Sequence, residues 1–162
     1  MKKISVLFCC MGNICRSPTA EAVFRAKVEE AGLAHQILID SVGTHDYHIG
    51  APPDLRTQRA AKQRGYDLSS LRGRQIEVAD FSRFDYVLAM DNANMEILQR
   101  LCPRTQRERP GFFLGLFLQY AQSHQETEVP DPYYGGEGGF ENVLDMVEDA
   151  ATGLLLHIQK VS

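Results

Sequence analysis

The sequence predicts one α/β domain with a parallel β-sheet and helices on both faces of the sheet. Short apolar, β-prone runs alternate along the chain with amphipathic helical patterns, which is typical of parallel strands joined by right-handed crossovers. The chain has 162 residues, of which 44% are hydrophobic and 23% charged, so it is long enough to bury one core. No internal repeat occurs, and Pro52-Pro53 stands in a loop too short to separate two domains. We therefore expect residues 1–162 to form a single domain.

The first strand is predicted at Ile4–Cys9, a continuous apolar run that leads through a loop into a helical pattern. We expect Ser17 to cap the N-terminus of this helix, Pro18 to stand at its first position and Gly32 to end it. The order of elements is therefore strand, loop and helix. In a sheet of parallel strands such a loop lies at the carboxyl ends of the strands, where ligands bind.

The remaining elements continue the alternation of strands and helices. Their predicted positions, in chain order, are a strand at Gln36–Val42, a helix at Asp54–Arg64, a strand at Phe84–Met90, a helix at Ala93–Leu101 and a helix at Phe140–Gln159. Gly65 provides a left-handed stop after the second helix, and Asp91 or Asn92 is placed to cap the third. The run Phe112–Leu118 fits either a fourth strand or part of a helix.

Charge and hydropathy exclude several classes of protein. Seventeen Lys and Arg residues stand against twenty-one Asp and Glu residues, a net charge of −4, which argues against binding to nucleic acid or to an anionic membrane. No window approaches about eighteen uncharged apolar residues, and the N-terminal run is a short strand rather than a signal peptide. We therefore expect a soluble, cytoplasmic protein that has neither nucleic acid nor a membrane as a partner.

The four cysteines predict chemistry rather than cross-links. Cys9, Cys10 and Cys15 lie within seven residues and Cys102 is far from them, a distribution that does not staple distant parts of a small secreted fold. Zinc binding is the rival interpretation, but the pair Cys10 and Cys15 has no second Cys or His pair of the usual ligand spacing. We expect neither a metal nor another cofactor.

The loop after the first strand has the features of an oxyanion site built around a thiol. Backbone N–H groups of a glycine-containing loop and the positive end of the following helix form a cradle for one phosphate. Cys10 at the mouth of this cradle should be a thiolate at neutral pH, and a thiolate facing a phosphoryl group is a nucleophile. The planar guanidinium of Arg16 can clasp two phosphate oxygens. Asn13 tolerates the left-handed conformation that a tight loop needs, and Ser17 can hydrogen-bond the Cys10 sulfur.

These residues stand in a string that closely resembles the signature of low-molecular-weight protein tyrosine phosphatases. The matching segments, in family order, are VLFCCMGNICRSPTAEAVF (6–24), DSVGT (40–44), YHIGAPPD (47–54), RQI (74–76), FDYVLAMD (84–91) and DPYYG (131–135). The resemblance covers nearly the whole chain. It implies a four-stranded parallel sheet with helices on both sides, no need for a metal, and hydrolysis of phosphotyrosine in proteins through a phosphocysteine intermediate.

The resemblance also implies a role for each residue of the loop. Cys10 would be the nucleophile and Arg16 the phosphate clamp. The phosphate-binding residues, chiefly through their backbone amides, would be Met11, Gly12, Asn13, Ile14, Cys15, Arg16 and Ser17. Asp131 matches the general acid, which protonates the departing phenolate and then acts as a base toward the water that attacks phosphocysteine. From the residues alone, Asp131-Pro132 is equally an ordinary turn.

Aromatic residues at the edge of the site would select the substrate. Tyr47, Tyr133 and Tyr134 resemble the walls of a cleft deep enough to favour phosphotyrosine over phosphoserine; the alternative is that they are ordinary half-exposed turn residues. His48 would be a rim residue without a catalytic role. A tyrosine-rich rim could also support weak self-association that hides the site.

Some positions stay open at this level. Asp91 resembles a family acid near the phosphate loop but equally suits a helix cap, and Ser41 resembles a hydroxyl that braces the loop. Leu71 stands where the family commonly has histidine, so either a serine replaces its support of Asn13 or the loop is looser. Cys15 resembles a second cysteine that traps the oxidised nucleophile as a disulfide, or it is simply a small residue in a tight loop.

Two other functions compete with phosphotyrosine hydrolysis. Related loops reduce arsenate by relaying oxidation through further cysteines, for which Cys15 and Cys102 are the candidates. A phosphotyrosine-binding module without catalysis is the other alternative, and it should have lost the nucleophile or the acid. Cys9 and Cys102 otherwise fit core positions.

Overall fold

Four parallel strands form the central sheet of the computed structural model, which describes residues 2–132 and 138–162. The strands are β1 (Ile4–Cys10), β2 (Ile37–Gly43), β3 (Tyr86–Ala89) and β4 (Phe113–Leu116). Their order is β2-β1-β3-β4, and each neighbouring pair is parallel. The predicted α/β class is thus confirmed. Because β1 is an interior strand, its last residue, Cys10, lies in the middle of the sheet's carboxyl edge.

Helices connect the strands. In the described ranges they are α1 (Arg16–Glu30), α2 (Leu55–Gln63), α3 (Asp80–Arg83), α4 (Asn92–Leu101), α5 (Arg104–Arg107) and α6 (Gly138–Val161), with a 3₁₀ turn at Phe117–Tyr120. The longer helices are those that the sequence pattern predicts. The two four-residue helices, α3 and α5, were not predicted, because so short a segment shows no helical period.

The two faces of β1 bury different cores. Phe8 and Cys10 point into a cluster that α1, α2 and α6 cover. Leu7 and Cys9 point into a second cluster, which receives side chains from α3 and α4. Successive side chains of a strand alternate between faces, so β1 is apolar throughout because both of its faces are buried. The prediction of helices on both faces is confirmed.

The start of α1 differs from the prediction. The helix begins at Arg16 with Cys15 as the N-cap residue, and no side chain among the described residues caps it. Ser17 therefore lies inside the first turn, and its hydroxyl points back to the loop, 2.7 Å from the Asn13 side-chain nitrogen. The prediction that Ser17 caps the helix and that Pro18 opens it is wrong. The loop is tighter than expected, and it leaves the first amides of the helix uncapped, as an anion site requires.

The other helix ends agree with the sequence signals. The Asp54 carboxylate caps α2 by accepting the Arg56 backbone N–H at 2.8 Å. Asp91, the first of the two predicted candidates, caps α4 through a reciprocal capping box with Asn94. Gly32 follows the end of α1 with a φ of +74°, the left-handed conformation that ends many helices.

The run Phe112–Leu118, for which the sequence allowed a strand or a helix, contains a strand and the start of a helical turn. Phe113–Leu116 forms β4, and Phe117–Tyr120 then turns into the 3₁₀ segment. The final helix extends beyond its predicted limits, from Gly138 to Val161. In the parts of the chain that the structure describes, no helix is both long enough and apolar enough to cross a membrane.

Candidate active site

The loop that follows β1 is held against the end of β2. Beyond Gly43 the chain continues alongside the loop, and the Thr44 backbone N–H donates to the Cys10 carbonyl at 2.9 Å. The next amide, that of His45, donates to the Met11 carbonyl at 3.0 Å. These bonds engage the Cys10 and Met11 carbonyls with the chain beyond β2 and fix the start of the loop.

Asn13 fixes the shape of the loop. Its backbone has a φ of +58°, the left-handed conformation that the sequence predicted. Its buried side-chain amide donates to the hydroxyls of Ser17 at 2.7 Å and Ser41 at 3.0 Å. Its oxygen accepts the Arg74 backbone N–H at 3.0 Å. Three partners thus support Asn13, and the loop needs no histidine at position 71, where Leu71 packs against the apolar core.

Cys10 ends β1 with its sulfur at the base of the loop. The residue is 3% exposed, and its Sγ lies 3.0 Å from the Ser17 hydroxyl oxygen. This contact confirms the predicted hydrogen bond between Ser17 and the sulfur. A hydroxyl that donates to a sulfur anion stabilises the anionic form, so the geometry suits a thiolate.

Arg16 is buried beside the loop and held in one orientation. Its Nη1 donates to Asp91 at 2.6 Å and to the Val129 carbonyl at 3.0 Å. Burial opposes the charge, but the Cys10 sulfur and Asp91 outweigh it and raise the pKa of Arg16. The residue is 2% exposed, so this guanidinium is a permanent positive charge at the base of the site.

Asp91 both caps α4 and lies beside the loop, the two positions that the sequence suggested for it. One of its carboxylate oxygens accepts the Asn94 backbone N–H at 2.8 Å and caps α4. The other receives the Arg16 guanidinium at 2.6 Å. The cap fixes the carboxylate, and the carboxylate in turn fixes the arginine. The start of α4 thereby positions the Arg16 guanidinium.

A cavity of about 130 Å³ opens above the loop. Its lining residues are Cys10, Met11, Gly12, Ile14, Cys15, Arg16, Tyr47, His48 and Asp131. The cavity therefore brings together most of the residues that the sequence selected. Asn13 and Ser17 lie behind it and support it. Two predicted residues, Tyr133 and Tyr134, lie outside the described residues.

Asp131 reaches the cavity from the segment that follows the 3₁₀ turn. The Val129 backbone N–H donates to the Met90 carbonyl at 2.8 Å, which ties this segment to the end of β3. The Asp131 carboxylate then lies 3.7 Å from the Arg16 Nη2. A carboxylate is thus placed beside the guanidinium at the cavity.

Tyr47 and His48 form the rim. The Tyr47 side chain is largely solvent-exposed, with 64% of the residue's surface accessible, and its ring stacks on His45 with centroids 4.9 Å apart. His48 also lines the cavity, and its ring meets the Tyr47 ring edge-on. An exposed aromatic ring at the mouth is suited to stack against an aryl group of a substrate.

The remaining cysteines are free thiols with different surroundings. Cys15 lines the same cavity as Cys10, and burial raises the pKa of Cys15 to about 12. Cys9 and Cys102 pack in the cluster on the other face of the sheet, which confirms them as core residues. Within residues 2–132 and 138–162, no group of three or more His, Cys, Asp or Glu side chains is arranged to hold a metal ion.

Two residues that support the loop, Glu21 and Arg25, were not predicted from the sequence. Glu21 is 5% exposed and accepts the Ser41 hydroxyl at 2.6 Å, and Arg25 pairs with Glu21. A signal was available, because Ser17, Glu21 and Arg25 recur at intervals of four, the spacing that aligns side chains along one line of a helix.

Comparison with known proteins identifies relatives over almost the whole chain. The family model described as "Low molecular weight phosphotyrosine protein phosphatase" matches residues 5–162. A low molecular weight protein-tyrosine-phosphatase of Streptomyces coelicolor is 46% identical over 96% of this chain and 93% of its own length. The human low molecular weight phosphotyrosine protein phosphatase is 41% identical over 86% of this chain and 85% of its own length.

A solved structure of a protein tyrosine phosphatase has the same fold as this chain. A solved protein tyrosine phosphatase from Entamoeba histolytica, with Hepes in its active site, has a TM-score of 0.90 to this chain. The two are 39% identical, and the match covers 98% of each chain. The similarity of fold therefore extends to the region that carries the cavity.

Proposed function

The chain belongs to the low molecular weight phosphotyrosine protein phosphatase family and is a phosphotyrosine phosphatase, and on this premise we propose that it acts through a phosphocysteine formed on Cys10. The observation that carries the proposal is the meeting of Cys10, Arg16 and Asp131 in one cavity of about 130 Å³. These side chains are a nucleophile, a phosphate clamp and an acid, which are the groups that transfer of a phosphoryl group to sulfur requires.

In the first step the Cys10 thiolate attacks the phosphorus of phosphotyrosine. The S–P bond forms while the P–O bond to the tyrosine ring breaks, and the carboxylic acid of Asp131 gives its proton to the departing oxygen. The location of this carboxyl, 3.7 Å from the Arg16 guanidinium that would hold the phosphate, supports that role. The products are phosphocysteine, tyrosine and the Asp131 carboxylate.

In the second step the Asp131 carboxylate accepts a proton from water as the water oxygen attacks phosphorus. The S–P bond breaks, inorganic phosphate is released, and the electron pair returns to the Cys10 sulfur. The Ser17 hydroxyl, 3.0 Å from this sulfur, stabilises it as a leaving group. One carboxyl and one thiol thus complete both steps with water as the only co-reactant.

Arg16 and the loop bind the phosphoryl oxygens in both steps. Because Asp91 and Val129 both bind Nη1, the guanidinium cannot rotate away when the site is empty. The backbone amides of residues 11–17 supply the other donors. A site that is organised before substrate binds loses little free energy to reorganisation during the reaction.

Phosphotyrosine fits the rim better than a shorter phosphoamino acid does. The exposed Tyr47 ring is in place to contact the substrate ring, and Tyr133 and Tyr134 are proposed to complete the wall. The weak self-association predicted from these tyrosines stays a prediction.

Cys15 is proposed to protect the nucleophile against oxidation. Peroxide would convert the Cys10 thiolate to a sulfenic acid, and the Cys15 sulfur would then displace hydroxide to give a disulfide. The two sulfurs line one cavity, which supports this pairing. An arsenate-reducing relay has no such support, because Cys102 packs on the opposite face of the sheet from Cys15.

The proposal is tested by hydrolysis of p-nitrophenyl phosphate in the presence of EDTA. The parent should turn over, Cys10→Ser should bind phosphate without turnover, and Asp131→Ala should lose about 10²–10⁴-fold in kcat, the usual contribution of a positioned acid or base, because the second step loses its base. Full activity in Cys10→Ser, or loss of the parent's activity in EDTA, would refute the mechanism.

A further inference from the structure

Four polar side chains connect the nucleophile to the opposite side of α1. We call them the polar relay, and its members are Ser17, Asn13, Ser41 and Glu21. Each member is at most 5% exposed. Beyond the relay, Arg25 reaches the surface with 43% of its side chain accessible. Buried polar groups of this kind are kept only where they are hydrogen-bonded to one another.

The bonds of the relay are continuous. The Ser17 oxygen is 3.0 Å from the Cys10 sulfur and 2.7 Å from the Asn13 amide nitrogen. The same amide donates to Ser41 at 3.0 Å, and the Ser41 hydroxyl donates to Glu21 at 2.6 Å. At the far end, the Arg25 guanidinium donates to the second oxygen of the Glu21 carboxylate.

The Glu21 carboxylate sets the direction of the Ser41 bond, and the Asn13 amide sets the direction of the other two bonds. A carboxylate only accepts, so the single Ser41 proton goes to Glu21, and the Ser41 oxygen must accept from Asn13. The second N–H of the Asn13 amide goes to Ser17. The Ser17 proton is then left for the Cys10 sulfur at 3.0 Å, a closer acceptor than the Val42 carbonyl at 3.3 Å.

Arg25 keeps this direction in place. Burial raises the pKa of Glu21, and the Asp40 carboxylate on β2 adds to the rise, whereas Ser41 and Arg25 oppose it. Leu71, on the neighbouring loop, has no polar group to offer. Without the guanidinium, Glu21 would take up a proton and hold the Ser41 hydroxyl less firmly. The Asn13 amide that Ser41 braces would then loosen, and the Ser17 hydroxyl could turn from the sulfur to the Val42 carbonyl.

We propose that Arg25 is a positioning residue for the nucleophile: it holds Glu21 ionised and, by way of Ser41 and Asn13, holds the Ser17 hydroxyl on the Cys10 sulfur. This inference rests on the proposed nucleophilic role of Cys10. Arg25 itself touches neither the cavity nor the reacting atoms. The same proton serves both steps, because it stabilises the thiolate before attack and the sulfur as it leaves.

The test measures alkylation of Cys10 by iodoacetamide as a function of pH, read by mass spectrometry of the Cys10 peptide, together with kcat. Arg25→Met should move the midpoint of the alkylation profile up by about half to one pH unit, a change of about three- to tenfold in thiolate formation. The charged groups that line the cavity with Cys10, Arg16 and Asp131, are unchanged in this variant. Lys27→Met, which removes a positive charge from the same helix, should leave the midpoint in place.

A double-mutant cycle separates positioning from general destabilisation. Glu21→Gln removes the buried charge but keeps an oxygen that accepts from Ser41. In that background there is no carboxylate for Arg25 to keep ionised. Arg25→Met should therefore add no further shift to Glu21→Gln. An equal shift in both backgrounds would overturn the inference, as would an Arg25→Met enzyme that is folded and alkylates like the parent.

Arg25→Lys keeps the inference testable if Arg25→Met does not fold. It retains the charge and should keep the midpoint near that of the parent, so a shift of a full unit in this variant would overturn the role of the charge. Alkylation does not depend on turnover. An enzyme that alkylates as expected but hydrolyses no aryl phosphate would refute the proposed function and leave this inference standing.

Discussion

Cys9 and Cys10 are neighbours in one strand, both buried, yet the two faces of β1 give them different chemistry. The face of Cys9 is an apolar cluster, and burial there raises the pKa of the Cys9 thiol well above its usual range. The face of Cys10 opens at the end of the strand to Ser17 and the Arg16 guanidinium. The reactivity proposed for Cys10 therefore depends on the groups that meet at the strand end and not on the thiol itself.

The largest effect should come from making the same substitution on each face. Cys10→Ser removes the nucleophile and should lower kcat by more than about 10³-fold, whereas Cys9→Ser should retain turnover. Instead, Cys9→Ser buries a hydroxyl among apolar side chains and should lower the free energy of unfolding by about 1–3 kcal/mol. Steady-state kinetics and urea unfolding of the pair measure this. Comparable loss of kcat in both variants would break the contrast between the faces.

A second matched pair compares two arginines. Arg16→Lys should lower kcat by about 10²–10³-fold, because an ammonium cannot supply the planar fork to two phosphate oxygens. Arg109, on the other face, binds Asp85 and the carbonyls of Phe81 and Phe84. Arg109→Lys should change stability while kcat stays as in the parent, and kinetics with thermal unfolding would show it. If both variants lose turnover equally, the clamp is not special to Arg16.

A third pair concerns oxidation. After treatment with peroxide and then dithiothreitol, the parent and Cys102→Ala should recover activity, because both keep the Cys15 thiol beside Cys10. Cys15→Ala should recover less, since its sulfenic acid has no thiol to trap it and is oxidised further. The fraction of activity regained is the measurement. Equal recovery in Cys15→Ala and the parent would remove the protective role from Cys15.

The smallest effect is expected far from the cavity. Asp149 accepts backbone N–H groups of residues 122–124 and the His124 ring; burial opposes its charge, but these hydrogen bonds lower the pKa of Asp149 to about 2 from its ordinary 3.8. Because the folded-state pKa is the lower one, this stabilisation is present above about pH 4 and is lost as the pH falls toward 2.

Asp149→Asn should therefore be less stable than the parent near neutral pH, and the difference should shrink below about pH 4. Its kcat should equal that of the parent, since Asp149 is not among the residues that line the cavity. Urea unfolding as a function of pH measures the difference. A gap in stability that persists unchanged at pH 2 would show that the charge of Asp149 is not what stabilises the fold.

The fold could be predicted from sequence wherever period and burial agree. Strand β1 is apolar on both faces, and α6 carries a long amphipathic stripe, so local pattern and tertiary contacts point the same way. The prediction failed at Ser17, which looks like a helix cap but serves the loop. Its hydroxyl has long-range partners, and a local capping rule does not include them.

The site residues likewise divide into those that local sequence patterns could predict and those that they could not. Cys10 and Arg16 could be selected from local spacing because one strand-loop-helix unit carries both. Asp131 is 121 positions from Cys10 in the sequence, and only the resemblance to a family could place it in the site. Glu21 and Arg25 escaped attention because an (i, i+4) ion pair on a helix is ordinarily a surface feature, and only the tertiary structure buries Glu21 against Ser41.

The most direct test of the account is to quench the reaction of the Asp131→Ala enzyme with a good aryl phosphate and locate the phosphoryl group by mass spectrometry. An activated leaving group needs no acid, while the second step lacks its base, so the intermediate should accumulate. The account predicts one phosphoryl group on the Cys10 sulfur. Turnover with the phosphoryl group on another residue, or with none trapped although the acid is absent, would contradict it.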